Sequence, residues 1–453
     1  MTHSYFFCGI GGSGMMPLAL IVRARGADVA GSDRSLDQGR IAAKFDWLTR
    51  EGIALFPQDG SGVTRAEQIV VASAAIEATV PDIVAADRLG CTRLSRAELL
   101  AQIFNASTDP VGVAGTSGKS TVTGMIGWIF HVCGQGPTVM NGAVMKNFVS
   151  AEAPFASALV GRGERFISEV DESDGSIALF NPGIAVLNNI ALDHKTMEEL
   201  RDLFGGFVSR ARVAVLNIDN DEVVALARPG DITCSMGARE AVLQAGDFAE
   251  RPDGVDFRVN GVPVSLQVPG RHNASNALMA LGAAVASGIA LEDAAQALAG
   301  FTGLRRRLEL VGTSQGVTVI DDFGHNPDKI SATLDTLLAF PGRLLVFFQP
   351  HGFGPLKLIG EELAEVFAAK LGAAHQLALT DPVYFGGTVD KSRGGEWLAD
   401  QVCARGSTAH FFDSRDAVGD WLASTARAGD RIVIMGARDD TLSSFAEQVL
   451  ARV

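Results

Sequence analysis

The residues best suited to chemistry form a glycine-containing loop in the first half of the chain. An apolar run, Val111–Ala114, precedes this loop, and a stretch of helical character follows it. The loop consists of Gly115, Thr116, Ser117, Gly118, Lys119, Ser120 and Thr121. Such a loop at a helix N-terminus points backbone N–H groups at phosphate, a lysine contacts the terminal phosphates, and a serine hydroxyl binds Mg²⁺. The sequence therefore predicts a phosphate-binding loop.

The match to the strict P-loop pattern is incomplete, because Val113 stands where that pattern has a glycine. The alternative interpretation is a glycine-rich turn with an exposed lysine. We favour phosphate binding because strand, loop, lysine, hydroxyl and helix follow one another in the required order. We also expect the Lys119 side chain to face solvent when no nucleotide is bound.

A second group of candidate residues is acidic. Residues 169–174 carry four carboxylates in six positions, directly after an apolar run. Carboxylates this close repel one another unless cations or hydrogen-bond donors neutralise them. We therefore predict Mg²⁺ near Glu169 or Glu172, with a solvated acidic loop as the alternative. His194 follows another strand and an acidic residue, so it is either a metal or phosphate contact or a structural histidine.

A glycine motif at the start of the chain predicts a second nucleotide site. Residues 9–14 have the spacing G-x-G-x-x-G between a short apolar run and an apolar helix, and Asp33 follows. In this arrangement a nucleotide diphosphate lies at the helix N-terminus, and an acidic residue about 20 positions on contacts the ribose. The alternatives are a structural glycine turn and, for Asp33, a helix N-cap.

Two further sets of side chains have the spacing of ligand contacts. Asn273 and Asn276 lie one helical turn apart, so their amides face one way and could contact a base edge, with helix capping as the alternative. Residues 305–307 are three consecutive arginines, and we expect at least one of them to contact phosphate. The alternative for the arginines is a basic surface turn.

Strands and helices alternate along most of the chain, which predicts parallel sheets with crossover helices. Residues 232–268 differ, because short strands and Asp-Gly and Asn-Gly turns indicate a small antiparallel insert. After Val317 the doubly wound pattern repeats, with a site expected at the carboxyl ends of its strands.

We predict an α/β protein of three domains. The first is a Rossmann-like N-terminal domain at 1–107, which a polar linker follows. The second is a central P-loop ATPase-type domain with a parallel sheet at 108–312. The third is a doubly wound, Rossmann-like C-terminal domain at 313–453.

The composition excludes some classes of function. The 453 residues include 52 acidic and 38 basic side chains, for a net charge of −14, which argues against a nucleic-acid partner. Five scattered cysteines without a CxxC pair indicate reduced thiols of a cytoplasmic protein. The N-terminal residues lack the features of a signal peptide, and no apolar run has membrane-spanning length, so we expect no membrane partner.

Together these motifs resemble those of the Mur ligases, the ATP-dependent amide-forming enzymes of cell-wall precursor assembly. The resemblance extends over nearly the whole chain, and its motifs are specific in combination. They occupy residues 9–15, 32–33, 114–121, 169–174, 188–194, 270–277, 321–327 and 349–351.

The resemblance implies ATP and Mg²⁺ as cofactors, and a UDP-N-acetylmuramate-type nucleotide sugar and an amino acid or short peptide as substrates. By position it assigns catalysis to Lys119, His194 and Arg307. The implied metal contacts are Ser120, Glu169 and His194. The implied nucleotide contacts are residues 115–121, Asn273, Asn276, Arg307 and Asp322. The implied substrate contacts are Gly11, Gly12, Ser13, Asp33, Ser73, His325 and His351.

The implied reaction needs no protein nucleophile. A substrate carboxylate attacks the γ-phosphorus of ATP to give an acyl phosphate, and the amine of the second substrate then displaces phosphate. Catalysis would therefore depend on positioning and on neutralising anionic oxygens.

Several residues depart from the family pattern. Residues 352–357 stand where arginine and threonine are usual, Phe323 and Asn326 replace a common Tyr and His, and residues 436–440 replace a more glycine-rich turn. These changes cluster around the expected acceptor site. The resemblance favours L-alanine as the acceptor, and these changes leave murein tripeptide or the substrate of another pathway as alternatives. Two alternative functions are a nicotinamide-dependent oxidoreductase and a non-catalytic binding protein. Neither of them explains the phosphate loop.

Overall fold

A computed structural model describes residues 3–73, 76–192, 195–382, 390–437, 439 and 441–453. These residues form three sheets, and the chain separates into two compact units. The first unit comprises Met1–Ala249, Val255–Gln267 and Asn273–Gly303. The second unit comprises Glu250–Gly254, Val268–His272 and Leu304–Val453. The three predicted domain ranges stay predictions.

The first sheet lies in the N-terminal part of the first unit. Its strands are β1 (Ser4–Cys8), β2 (Asp28–Ser32), β3 (Ala54–Phe56), β4 (Gln68–Ala72) and β5 (Arg93–Ser95). Its helices are α1 (Met15–Ala24), α2 (Arg34–Asp37), α3 (Ala42–Arg50), α4 (Pro81–Leu89) and α5 (Arg96–Asn105). The strand order is β3-β2-β1-β4-β5 and the pairing is parallel. The end of β1 is therefore the switch point at which such sheets bind ligands.

The second sheet has ten strands. They are β6 (Val111–Ala114), β7 (Thr138–Met140), β8 (Ala158–Leu159), β9 (Phe166–Glu169), β10 (Ile184–Leu187), β11 (Val213–Asn217), β12 (Ile232–Ser235), β13 (Leu243–Arg251), β14 (Gly254–Val259) and β15 (Val262–Leu266). The helices that accompany them are α6 (Lys119–Val132), α7 (Met197–Arg210), α8 (Asp221–Val224), α9 (Arg271–Ala286) and α10 (Leu291–Leu298). The strand order is β15-β14-β13-β12-β11-β10-β6-β9-β7-β8. All residues of β6 are buried, and β6 pairs in parallel with β10 and β9.

The prediction of an antiparallel insert at 232–268 is wrong for the first half of this range. β12 pairs in parallel with β11, and β13 pairs in parallel with β12, so both strands extend the central sheet. The β12–β13 pairing joins only two residue pairs without a crossover helix, an arrangement that sequence patterns do not predict. β14 and β15 do form an antiparallel hairpin, and it turns at Asn260 and Gly261, both with positive φ, as the Asn-Gly pair predicts.

The third sheet lies in the second unit. Its strands are β16 (Glu309–Ser314), β17 (Val317–Asp322), β18 (Leu344–Gln349), β19 (Gln376–Leu379), β20 (Thr408–Phe411) and β21 (Arg431–Gly436). Its helices are α11 (Pro327–Leu338), α12 (Phe353–Leu371), α13 (Gly395–Ala404), α14 (Arg415–Thr425) and α15 (Thr441–Arg452). The order is β16-β17-β21-β18-β19-β20, with β16 antiparallel and the other strands parallel.

None of the helices in the described part of the chain combines the length and the hydropathy that a bilayer span would require.

Candidate functional site

The phosphate loop joins the buried strand β6 to α6, whose first residue is Lys119. Gly115 and Gly118 have φ values of +132° and +86°, a region that favours glycine. A Cβ atom at Gly118 would collide with the side-chain amides of Asn188 and Asn276. The loop backbone therefore packs directly on these two amides, and only glycine permits this approach.

Two asparagines at the end of β10 hold the loop. Asn189 Oδ1 accepts a hydrogen bond from the Ser117 N–H at 2.9 Å, and Asn189 Nδ2 donates to Ser117 O at 3.2 Å. Asn188 Nδ2 donates to the same carbonyl at 3.0 Å. The backbone oxygen of Asn189 accepts from the Thr116 N–H at 3.2 Å. The loop conformation is thus fixed by the neighbouring strand, which suits preorganised phosphate binding.

The Lys119 side chain lies inside the loop, and the prediction that it faces solvent is wrong. Its Nζ donates to Gly115 O at 2.7 Å and to Glu172 Oε2 at 2.9 Å. The Lys119 side chain is 18% exposed and that of Glu172 is 6% exposed. Burial raises the pKa of Glu172, and the Lys119 charge opposes that shift. The lysine is therefore held by an internal carboxylate at the place where a phosphate contact is predicted.

The other acidic residue, Glu169, lies beside the loop serine. Ser120 Oγ donates to Glu169 Oε2 at 3.1 Å, and the Gly142 N–H donates to Glu169 Oε1. The two carboxylates therefore have different partners: Glu169 contacts the hydroxyl predicted to bind metal, and Glu172 contacts the lysine. The described residues contain no group of three or more His, Cys, Asp or Glu side chains that could hold a metal. His194, the third predicted metal contact, lies outside the described residues.

The glycine motif at the end of β1 is held by Asp33. Asp33 Oδ2 accepts from the Gly11 N–H at 2.8 Å, and Asp33 Oδ1 accepts from the Ser35 N–H at 2.8 Å, which makes Asp33 the N-cap of α2. The capping alternative is thus correct, and the same carboxylate also fixes the loop. Gly12 and Ser13 are exposed ahead of α1, and Ser73 is half-buried after β4.

Asn273 and Asn276 both lie within α9, so neither is its N-cap. Each is 5% exposed. Asn276 Oδ1 accepts from Asn188 Nδ2 at 3.0 Å, and Asn276 Nδ2 donates to Asn273 Oδ1 at 3.3 Å. The pair therefore faces the phosphate loop from α9 through Asn188.

In the second unit, the three arginines have different environments. Arg306 is 8% exposed with φ of +59°, and it donates to Gly436 O at 2.7 Å and to Asp439 O at 3.1 Å. Its Nε is 3.4 Å from Asp321 Oδ1. The guanidinium groups of Arg306 and Arg307 lie 5.1 Å and 4.7 Å from the centre of the Phe323 ring. Arg306 thus has a structural role, and the basic-surface alternative is wrong for it.

The remaining predicted contacts follow the carboxyl ends of β17 and β18. Asp322 is 6% exposed and accepts from the Leu308 N–H, the Gly324 N–H and Thr333 Oγ1 at 2.8–2.9 Å. The rings of His325 and His351 are in edge contact, 5.2 Å between centres. His325 Nδ1 lies 2.9 Å from Phe323 O and donates to it. Burial lowers the pKa of His325 to about 3, so the ring is neutral at pH 7.

Two departures from the family pattern have local explanations. Asn326 is the N-cap of α11, where its Oδ1 accepts from the Lys329 N–H at 3.0 Å. Lys357 forms an exposed ion pair with Asp390 at 2.8 Å. Asn326 thus has a structural role at the start of α11, and Lys357 has an exposed partner in this structure.

Profiles of known families match the chain in three consecutive segments. Residues 4–108 match the Mur ligase family catalytic domain, residues 113–284 the Mur ligase middle domain, and residues 306–438 the Mur ligase glutamate ligase domain. The three profiles follow one another along the chain with short gaps between them.

Curated relatives match over nearly the full length. A UDP-N-acetylmuramate–L-alanine ligase of Streptomyces coelicolor is 32% identical over 462 residues, covering 96% of this chain and 95% of the relative. A protein of the same name from Mycobacterium marinum is 34% identical, covering 96% of this chain and 92% of the relative.

Solved structures share the fold. A UDP-N-acetylmuramate–alanine ligase from Thermotoga maritima superposes with a TM-score of 0.82 at 22% identity, covering 99% of this chain and 98% of that one. A murein peptide ligase from Psychrobacter arcticus gives 0.71 at 22% identity, covering 99% and 98%. The predicted three-domain α/β fold class is confirmed. With its phosphate loop, three consecutive family profiles and full-length relatives above 30% identity, the chain belongs to the Mur ligase family of ATP-dependent ligases.

Proposed function

We propose that this ligase joins the carboxylate of UDP-N-acetylmuramate to L-alanine, in peptidoglycan precursor synthesis. The observation that carries the proposal is the near-complete alignment with ligases of that name at 32–34% identity. The phosphate loop supports it, because Asn188 and Asn189 hold its backbone at Ser117 and its lysine has an anionic partner that phosphate could replace. We place the reaction in the cytoplasm.

We assign the terminal phosphates of ATP to residues 115–121. When ATP binds, Lys119 Nζ would exchange Glu172 Oε2 for phosphate oxygens, since both partners are anionic. Lys119 is the first residue of α6, so the phosphates would lie at the N-terminus of this helix. This assignment makes Lys119 a catalytic residue that neutralises charge on the transferred phosphoryl group.

Mg²⁺ fits the oxygen donors beside the loop. The Ser120 hydroxyl and the Glu169 carboxylate lie 3.1 Å apart and are hard ligands of the type that Mg²⁺ prefers. The two residues would hold the ion, and His194 stays a predicted ligand. Bound there, Mg²⁺ would neutralise developing negative charge on the phosphates.

We assign the diphosphate of the UDP-sugar to Gly11, Gly12 and Ser13, at the N-terminus of α1, with Asp33 and Ser73 nearby. Asp33 holds the loop by accepting from the Gly11 N–H, so its main effect on the ligand would be to fix the backbone.

Asp33→Asn and Asp33→Ala are expected to weaken UDP-N-acetylmuramate binding about tenfold, because each removes the acceptor of the Gly11 N–H. Asparagine can still cap α2, so the alanine variant should have the lower free energy of unfolding of the two, by about 1 kcal/mol. Isothermal titration with the UDP-sugar and with Mg–ATP measures both affinities. Loss of ATP affinity with unchanged UDP-sugar affinity would contradict the assignment.

The chemistry follows from the substrates. The muramyl carboxylate attacks the γ-phosphorus of ATP and ADP leaves, which gives an acyl phosphate. The amine of alanine then attacks the acyl carbon, and phosphate leaves with the bridging oxygen. The protein supplies no nucleophile; it orients the reactants and neutralises their oxygens.

We assign the acceptor to His325 and His351 in the second unit, and Arg307 and Asp322 to the nucleotide. Because its pKa is about 3 and Nδ1 donates to Phe323 O, His325 presents a neutral Nε2 with a lone pair. Such a nitrogen can accept a hydrogen bond from an amine. Asp322 already accepts three hydrogen bonds, so it would add at most one ligand contact on Oδ2.

A panel of acceptors tests the proposal. The purified protein is incubated with ATP, Mg²⁺ and UDP-N-acetylmuramate, together with each amino acid or the murein tripeptide, and products are identified by mass. We expect amide product with L-alanine. Product with tripeptide alone would support the second candidate, a murein tripeptide ligase, which is considered because residues 352–357 and Phe323 depart from the alanine-ligase pattern. No product with any acceptor would contradict both.

A further inference from the structure

A chain of three side-chain amides connects the phosphate loop with α9. Asn188, which follows β10, is 4% exposed, and Asn273 and Asn276 are equally buried. Asn188 Nδ2 donates both to Ser117 O and to Asn276 Oδ1, at 3.0 Å in each case. Asn276 Nδ2 then donates to Asn273 Oδ1 at 3.3 Å. The amides therefore form one continuous hydrogen-bonded path from the loop to the helix.

A backbone carbonyl fixes the direction of this path. Ser117 O can only accept, so Asn188 must turn its nitrogen towards the loop. The same nitrogen faces Asn276, which must therefore present its oxygen, and the nitrogen of Asn276 then faces Asn273. Reversing Asn188 would set acceptor against acceptor at Ser117 and Asn276. Reversing Asn276 would set donor against donor at Asn188 and acceptor against acceptor at Asn273. One carbonyl oxygen thus determines the orientation of two buried amides.

The side-chain oxygen of Asn188 has no partner in the described part of the chain, which indicates that the side-chain nitrogen is the atom that explains this asparagine. Asn188 Oδ1 is buried and has no hydrogen-bond partner among the described residues. A buried acceptor without a donor destabilises the folded state, and an apolar side chain of similar size would avoid that penalty. The asparagine is therefore explained by the two hydrogen bonds that its nitrogen donates.

The locked amide of Asn276 has one acceptor site and one donor left for a ligand, since the path uses one lone pair of Oδ1 and one N–H of Nδ2. Adenine offers a donor at N6 and an acceptor at N7, a pair that an asparagine amide binds with two hydrogen bonds. Hypoxanthine has an oxygen at position 6 and so offers two acceptors. An amide locked in one orientation therefore discriminates between the two bases.

We propose that Asn188 is a positioning residue that sets base selectivity, by holding Asn276 in the orientation that pairs with adenine. Asn188 acts through Asn276 and through the Ser117 carbonyl and does not contact the base. The inference rests on the proposed use of ATP and on Asn276 as the base contact.

The test compares the binding of Mg–ATP and Mg–ITP to the full chain, by titration calorimetry without donor or acceptor substrate. Asn188→Asp keeps the shape of the side chain but removes the donor, so Asn276 must reverse to donate to the new carboxylate. ATP then loses both hydrogen bonds between adenine and Asn276. ITP keeps one, because Asn276 Nδ2 then donates to O6 of hypoxanthine instead of N7. We expect the preference for ATP over ITP to fall about tenfold or more.

Asn189→Ala is the matched control, because Asn189 also holds Ser117 but does not contact Asn276. It should weaken ATP and ITP alike and leave their ratio unchanged. Asn188→Ala is measured as well, in case the aspartate variant does not fold; it frees Asn276 and should also lower the ratio.

An unchanged ATP/ITP ratio in the folded Asn188 variants would overturn the proposal, as would a wild-type protein that binds the two nucleotides equally. A wild-type protein that binds neither nucleotide would instead contradict the proposed function. The two failures are therefore distinguishable.

Discussion

Lys119→Ala is expected to lower kcat by about 10³-fold, because the lysine supplies the positive charge that neutralises the transferred phosphoryl group. The helix that begins at this residue should persist, since alanine is a good helix former. Phosphate release under saturating ATP, UDP-N-acetylmuramate and L-alanine measures the effect. Turnover at the wild-type rate would contradict the assignment of the loop.

The same variant should be less stable than the wild type. Glu172, whose side chain is 6% exposed in the wild type, would lose its cationic partner, and an unpaired buried group lowers the free energy of unfolding by about 1–3 kcal/mol. Adding Glu172→Gln removes the buried charge, so the double variant should recover stability without recovering turnover. Recovery of turnover in the double variant would mean that Lys119 acts only on Glu172.

Arg306→Met is expected to destabilise the second unit by about 3–5 kcal/mol, because it leaves Asp321 buried without its cationic partner. It also removes the side-chain donor of the Gly436 and Asp439 carbonyls, of which Asp439 O still accepts from the Leu442 N–H. Chemical denaturation measures the free energy of unfolding. Arg305→Met is the control: Arg305 makes no hydrogen bond or ion pair with the described residues, so its change should stay within about 0.5 kcal/mol. Equal effects in the two variants would contradict the structural role of Arg306.

The loss in Arg306→Met should depend on pH. Burial raises the pKa of Asp321 from 3.8 to about 6 in the folded state, and the Arg306 charge opposes this shift. The folded state therefore binds this proton more tightly than the unfolded state, so this group destabilises the fold as pH rises from 3.8 towards 6. Removing the Arg306 charge raises the folded-state pKa of Asp321 further and so enlarges this loss of stability with rising pH. The deficit relative to wild type should thus be smaller at about pH 5 than at about pH 8.

The sequence predicts the fold well where hydrophobic runs and glycine turns coincide. The strand, loop and helix around residues 115–121 lie as predicted, because a buried strand, glycines with positive φ and a helix start each leave a local pattern. β12 and β13 were misassigned because their pairing depends on neighbouring strands and not on their own composition.

Side-chain partners were harder to predict, since they depend on residues distant in the chain. The exposure of Lys119 was predicted wrongly because its partner Glu172 is 53 residues away. Arg306 and Arg307 are neighbours in sequence, but the left-handed backbone at Arg306 directs its side chain to Asp321 and Gly436. Two consecutive asparagines after β10 were a visible signal, but their contacts with the loop required the structure.

Transfer of oxygen isotope from donor to phosphate tests the central claim most directly. UDP-N-acetylmuramate labelled with ¹⁸O in its carboxylate is incubated with the protein, ATP, Mg²⁺ and L-alanine, and the released phosphate is analysed by mass. If the carboxylate attacks the γ-phosphorus, each phosphate released with amide product carries one carboxylate oxygen. Amide product with unlabelled phosphate would contradict the acyl-phosphate reaction proposed for this loop.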